Sequence, residues 1–369
     1  MRIDPLRFSE LHIPFKATFR HASAERSETS SIWVEATSDG LIGYGESCPR
    51  PYVTGETTDS ARAFFNTHEA SVRREVTGLD SLREWMGAHR EAIDRNPAAW
   101  CAMELALIDL MARAASQTLE AFLSLAPLRG PFRYTAVLGD ANTDVFTATA
   151  ERYRRMGFSD FKVKLSGDIE RDKGKMAVLA GFAMPELRVR VDANNLWAAP
   201  EVALAYLRDL DAPLIGVEEP IGARQYAELG SIAEALNCRI ILDESIVSAD
   251  QLGVLEGTPE RWVINVRVSK MGGLLRSLAV VSAARARAIP IIVGAQVGET
   301  SVLTRAALTV AHSAGASLLA QEGAFGTFLL EHDVCEPSLM FGAGGVLDVQ
   351  AYPTLENPGL GLPITNSPR

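Results

Sequence analysis

From residue 132 onward the chain settles into a rhythm. Short apolar runs alternate with longer amphipathic segments. The runs are YTAVLG, FKVKL, RVRVDANN, LIGVEEP, RIILDES, WVINVRVSK, IPIIVGA and SLLAQEG, and stretches such as TDVFTATAERYRRMG and PEVALAYLRDLD lie between them. Runs of this length read as strands and the amphipathic stretches as helices. Eight strands alternating with helices predict an α/β fold whose parallel strands close into a barrel. An open doubly wound sheet is the rival, but no GxGxxG follows an early strand.

Ahead of this region, SSIWVEATSDGLIGYGESC reads as a hairpin: Ile32, Val34 and Ala36 alternate, SDG turns, and Ile42 to Glu46 returns. Residues 58–125 read as helical. In PAAWCAMELALIDLMARAAS the apolar residues are too dense for one stripe, which predicts a helix buried on several sides. The residues after about 324 have little periodicity and many Gly and Pro, and are expected to run back over the N-terminal part. The expected division is 1–130, 131–323 for the barrel, and 324–369 for the returning segment.

Composition narrows the function. The 369 residues are 47% hydrophobic and 22% charged, the balance of a globular protein with a sizeable core. A net charge of −10 argues against a nucleic-acid partner, because phosphate binding needs a basic face. The N-terminus MRIDPLRFSELHIPF lacks the apolar run of a signal peptide, and no stretch suits a membrane span. Cys48, Cys101, Cys238 and Cys335 are widely separated and form no CxxC pair. They suggest neither zinc nor a disulfide framework, and the cytoplasm is the expected compartment.

FKVKL poses the functional question. Phe161, Val163 and Leu165 alternate with Lys162 and Lys164, a pattern that usually sends the lysines into water. Yet the following strands also end in charge: Asp192, then Glu218 and Glu219, then Asp243 and Glu244, then Lys270. The steps from Lys164 are 28, 26, 25 and 27 residues, each about one strand-helix unit. Taken singly, each motif could be a solvated face or a capped turn. Together they predict equivalent positions on five successive strands, at the C-terminal face where such barrels carry their active sites.

Carboxylates converging from three strands repel unless a cation lies among them. Oxygen ligands of this type suit Mg²⁺, or Mn²⁺ in its place. Asp192, Glu218 and Asp243 are the expected ligands, with Asn194, Glu219 and Glu244 orienting them. Lys164 and Lys270 are expected on opposite sides of the ion, as bases whose pKa is lowered by the metal and, for Lys164, by Lys162. An ion that binds a substrate carboxylate would favour loss of its α-proton.

These residues resemble the enolase superfamily, in its muconate-lactonizing subgroup, over nearly the whole chain. YGESCPRPYVTGET resembles the family's capping segment, FKVKL its KxK strand, VDANN, VEEP and LDES its three metal-ligand strands, and INVRVSKMGGL its sixth strand. The resemblance implies a (β/α)7β TIM-like barrel with an α+β capping domain from both chain ends. It also implies Mg²⁺ on Asp192, Glu218 and Asp243, and an acid/base pair of Lys164 and Lys270 with Lys162 tuning the former. That chemistry, Lys or His bases beside Mg²⁺, is a known pattern of the superfamily.

The implied activity is isomerisation of a small carboxylate, by cycloisomerisation or by racemisation or epimerisation. A lyase using the same proton abstraction is the alternative, and a barrel that has lost its chemistry is the rival from another class. The implied partners are a small carboxylate substrate and further copies of the chain, but no membrane and no nucleic acid. Loops 20–29 and 49–57 match the family's substrate-covering loops, which makes Arg20, His21, Arg26, Arg50 and Tyr52 specificity candidates. Gln296, Glu299 and Glu322 are further candidates at the last two strands. There the chain departs from the family: AQEGAFGTFLL carries neither the DxD of dipeptide epimerases nor the Glu-Leu-Phe-Gly-Pro of muconate-type enzymes.

Overall fold

The structure is a computed structural model that describes residues 1–21 and 24–368, with only the backbone of 19–21, 24 and 25. Its centre is one eight-stranded parallel sheet. The strands, in spatial as well as chain order, are β7 (Ala136–Leu138), β8 (Asp160–Lys164), β9 (Arg188–Asp192), β10 (Leu214–Glu218), β11 (Ile240–Leu242), β12 (Trp262–Val266), β13 (Ile291–Val293) and β14 (Leu318–Gln321). The Thr135 N–H donates to the Gln321 carbonyl at 2.7 Å, which ties the start of β7 to the end of β14. All eight runs seen in the sequence are strands of this barrel.

Helices Thr143–Arg155, Ile169–Ala180, Pro200–Asp209, Tyr226–Leu236, Leu274–Ala286 and Ser301–Ala314 make six of the seven connections; the link from β11 to β12 is the 3₁₀ segment Ala249–Leu255. Among the described residues no α-helix follows β14, so the barrel is of the (β/α)7β kind. Strand alternation sorts the side chains. Phe161, Val163, Val189 and Val191 are buried on the outer, helix-covered face, while Lys162, Lys164, Arg190 and Asp192 occupy the alternate positions.

The N-terminal region forms an antiparallel sheet of β1 (Arg7–Leu11), β4 (Ser31–Ser38) and β5 (Leu41–Ser47). The β4–β5 hairpin turns at Asp39 and Gly40, both with positive φ (49° and 78°), the geometry of a tight two-residue turn. Helix Pro97–Ala114 lies directly on β5: a Cβ at Gly45 would run into the Ala102 carbonyl, and one at Gly43 into that of Ala106. Every residue of this helix up to Ala112 is buried, as its apolar density predicts.

Between these sheet strands, β2 (Pro14–His21) and β3 (Ala24–Glu28) pair as an antiparallel hairpin. Residues 20, 21 and 24–28, which fall in the segment 20–29 expected as a loop, are therefore strand. Short β6 (Phe132–Arg133) pairs with β15 (Val346–Leu347). The C-terminal segment meets the N-terminal region directly. The Leu119 N–H donates to Gly359, Lys16 to Leu329, and Leu360 to the Asp109 carboxylate. Among the described residues no helix is long and apolar enough to cross a membrane.

Candidate active site

The barrel opens at the C-terminal ends of its strands into a cavity of about 1060 Å³. Lys162, Lys164, Asp192, Glu218, Asp243 and Glu244 all border it. The register explains why: Lys164 lies beside Asp192, and Asp192 beside Glu218, on adjacent parallel strands. The lysines of FKVKL therefore point inward.

Charge is closely balanced here. The Lys162 ammonium lies 2.7 Å from Glu218, 3.1 Å from Asp192 and 3.1 Å from Glu322. Burial opposes its charge, but the three carboxylates outweigh burial and hold it protonated. Lys164 donates to Asp192 at 2.6 Å and to the Asn194 side-chain oxygen at 3.0 Å. Burial also opposes the charge of Asp192, yet Lys164 and Lys162 keep its carboxyl well below the usual range. Glu218 moves the other way, raised by burial and by the charge of Asp192. Glu244 is pushed up to about 7 by burial and by its acidic neighbours.

Glu219 does not border the cavity. With φ at 38° it turns away and accepts the N–H groups of Asp243 and Ser245, each at 2.8 Å, and the Ser245 hydroxyl. It thereby braces the backbone that presents Asp243. Asn194 borders the cavity, and its N–H donates to Asp192 at 3.0 Å.

Lys270 requires a correction. It is wholly buried and does not border the cavity. Its ammonium donates to the carbonyls of Asp243, Ile246 and Asn265 and to the Asp243 carboxylate, at 2.5 to 3.1 Å. Burial and the nearby Arg267 charge pull its pKa well down, but the amine faces no space where a substrate fits. The reason is local. β12 ends at Val266 and a helical turn, Val268–Met271, begins, so the even spacing of strand ends no longer applies at residue 270.

The inward residues of this strand are Asn265 and Arg267, both bordering the cavity. Arg267 donates from Nε to Asp243 at 2.9 Å and from Nη1 to Gln296 at 2.8 Å; Nη2 also contacts Asp243 and lies 3.5 Å from Glu244. Asn265 donates to Glu218 at 3.2 Å. Arg190, buried below the site, contacts Asp160 and Glu322 at 3.0 and 3.3 Å. The sequence reading passed over Arg190, Asn265 and Arg267. Period-two counting through RVRVD and WVINVR would have found them.

The substrate candidates divide. Tyr52, Gln296 and Glu322 border the cavity. Arg26 stands with its guanidinium 5.9 Å from the Tyr52 ring centre. Arg50 is fully buried and donates to the Ser30, Pro49 and Val297 carbonyls, each at 2.8 Å, so it pins the N-terminal region to the loop after β13 and does not reach the cavity. Glu299 accepts the Gln296 N–H at 2.6 Å, outside the cavity lining. The side chains of Arg20 and His21 lie outside the described residues. Phe146, Tyr153, Phe325, Phe328 and Leu329 supply an apolar wall.

The donor chemistry fits a hard cation: three carboxylates at the ends of adjacent strands, with a buried oxygen of the neighbouring Glu244, Oε2, lacking a hydrogen-bond partner beside the same cavity. As they stand, these carboxylates are held by Lys162, Lys164 and Arg267, and among the described residues no three metal-binding side chains surround a common point.

Residues 145–367 match the family model described as enolase C-terminal domain-like. The chain belongs to this family. It is similar to the L-Lys-D/L-Arg epimerase of Methylococcus capsulatus, with 27% identity over 98% of this chain and 99% of that protein. It is also 27% identical to the chloromuconate cycloisomerase of Cupriavidus pinatubonensis, over 78% and 79% of the two chains. The solved dipeptide epimerase of Enterococcus faecalis, complexed with Mg and L-Leu-L-Tyr, superposes with a TM-score of 0.83 at 25% identity, over 98% of this chain and 100% of that one. Family membership and these relatives make the chain an isomerase of the enolase superfamily.

Proposed function

We propose that this isomerase starts its reaction by removing the proton α to the carboxylate of a small substrate, with Lys164 as the base. The observation that carries the reading is the placement of Lys164 and the carboxylates of Asp192, Glu218 and Asp243 on four neighbouring strand ends around one cavity. Those three carboxylates would hold Mg²⁺, or Mn²⁺. Bound there, the ion would offset the charge that builds on the substrate carboxylate as the proton leaves.

The chain's own residues do the rest. Lys162 stays protonated among Asp192, Glu218 and Glu322, and holds the inner ends of those side chains in place. Asn194 orients Lys164, and Glu219 braces the Asp243 backbone. The apolar wall accepts the body of the substrate and excludes water. A cavity of about 1060 Å³ has room for dipeptides, N-acylamino acids and muconates, the substrate classes to which the relatives' names point. The four free cysteines, three of them buried, suit a reducing cytoplasm.

The test is a deuterium-exchange screen. The protein with Mg²⁺ in D₂O meets pooled dipeptides, N-acylamino acids and muconates, and mass spectrometry follows label and products. Label at an α-carbon, or a lactone from a muconate, that disappears in Lys164→Ala supports the reading. Full wild-type turnover in Lys164→Ala would sink it, as would a screen with no exchange from a protein that binds Mg²⁺ by calorimetry.

A further inference from the structure

The barrel geometry sets a limit on what this site does with the proton. Lys164 lies on β8, the second barrel strand, and Arg267 directly follows β12, the sixth. In an eight-stranded barrel those positions are half a turn apart, and Asp192, Glu218 and Asp243 come from the three strands between. Both side chains border the same cavity. A substrate held against the three carboxylates therefore presents one face to Lys164 and the other to Arg267.

The second face thus meets a guanidinium, a group with donors and no acceptor. Arginine offers a planar set of donors suited to a carboxylate, and is poorly suited to taking a proton from carbon. Arg267 is well supported in that place: Gln296 and the Asp243 carboxylate fix its plane, and its side chain is 10% exposed. Lys270, the nearest lysine on that side, has its ammonium committed to three carbonyls and a carboxylate, and stands behind the cavity wall.

We propose that Arg267, and not Lys270, is the residue that faces the substrate opposite Lys164, that it binds the substrate's anionic group as a permanent cation, and that proton transfer is confined to the Lys164 face. This rests on the proposed role of Lys164 and selects within it. A single proton-handling face suits an isomerisation that returns or adds the proton on the side from which it is removed, such as a cycloisomerisation. It does not suit inversion of an α-carbon by two bases on opposite faces. Lys270 is a structural staple that ties the end of β11 to β12.

The experiment uses the full chain with Mg²⁺ in D₂O. The probes are both diastereomers of Leu-Tyr at the tyrosine, both enantiomers of N-succinyl-arginine, and cis,cis-muconate. In the wild type, label enters one stereoisomer faster than the isomer of opposite α-carbon configuration by about 100-fold or more, the usual worth of a positioned base, or the muconate yields lactone labelled on one face. Arg267→Lys places a side chain that can give up a proton on the second face, and should bring the two rates to within about tenfold by the same measure. Lys270→Arg, which retains a buried cation and donors, and Lys270→Met should both leave the facial preference unchanged. Circular dichroism confirms that each variant is folded.

Comparable labelling of both stereoisomers by the wild type would overturn the inference and leave Lys164 as a base. So would loss of exchange from one face only in a folded Lys270 variant. Absence of label from every probe, in the wild type and in Arg267→Lys, would overturn the role of Lys164 itself, and this inference with it.

Discussion

Replacing Lys162 by Met would test whether the inner carboxylates form a cation site, without reference to any substrate. The Lys162 ammonium lies within 3.1 Å of Asp192, Glu218 and Glu322, and all four side chains are at most 7% exposed. Removing one partner from a buried ionic cluster typically costs about 3–5 kcal/mol, because the remaining charges stay buried and uncompensated. Unfolding a chain of 369 residues carries an entropy of about 0.8 kcal/mol/K, so the loss corresponds to a fall of about 4–6 °C in Tm. That fall is expected in EDTA, where no divalent cation replaces the lost ammonium.

Added Mg²⁺ should reverse the loss. Binding at about 100 times Kd stabilises a folded protein by about 2.7 kcal/mol. Carboxylates freed from Lys162 should bind the ion more tightly, so the Mg²⁺-induced rise in Tm should be larger in Lys162→Met than in the wild type. Differential scanning fluorimetry with EDTA or a Mg²⁺ series gives both numbers. A fall below about 1 °C in EDTA would mean the cluster is not held as an uncompensated buried set. An equal or smaller Mg²⁺ response in the variant would mean that the ion binds elsewhere.

Three further outcomes are expected. Asp243→Asn should weaken Mg²⁺ binding in calorimetry, and an unchanged affinity would remove Asp243 from the ligand set. Glu120→Ala should cost about 3–5 kcal/mol, because the buried Arg305 guanidinium loses a paired contact at 2.8 and 2.9 Å; Glu120→Leu with Arg305→Met should recover most of it in urea unfolding, and additive losses would contradict this. Glu104, which accepts the Leu274 and Leu275 N–H groups, is pushed from 4.5 up to about 8 by burial. The folded protein therefore holds a proton that the unfolded chain releases above about pH 4.5, so the Glu104 contribution falls as pH rises from there to about 8, by at most about 1.4 kcal/mol per pH unit. Urea unfolding of wild type and Glu104→Gln from pH 5.5 to 8.5 should show the steeper decline in the wild type, and parallel curves would refute it.

Much of this protein was legible in its pattern of residues. Short apolar runs alternating with amphipathic stretches marked the eight barrel strands, and the spacing of charged residues marked the ends of several of them, because parallel strands repeat one local unit and each unit leaves the same periodic trace. The same regularity put Lys164, Asp192, Glu218 and Asp243 on one ring, since each belongs to or directly follows a strand whose direction is set by its neighbours. Where the chain leaves strand geometry, counting failed. Lys270 fell in step with the series but lies on a helical turn, and Arg50, in a segment read as a covering loop, is buried against three carbonyls.

What the sequence determined by itself was the local repeat: which residues are strand, which alternate inward, and which carry charge at the strand ends. What only the tertiary structure decided was which of those charges share a cavity and which are used up as internal braces. Whether an ammonium or guanidinium faces a substrate depends on the acceptors that surround it. For Lys270 and Arg50 those acceptors are backbone carbonyls, which any sequence supplies and only the folded chain brings into place.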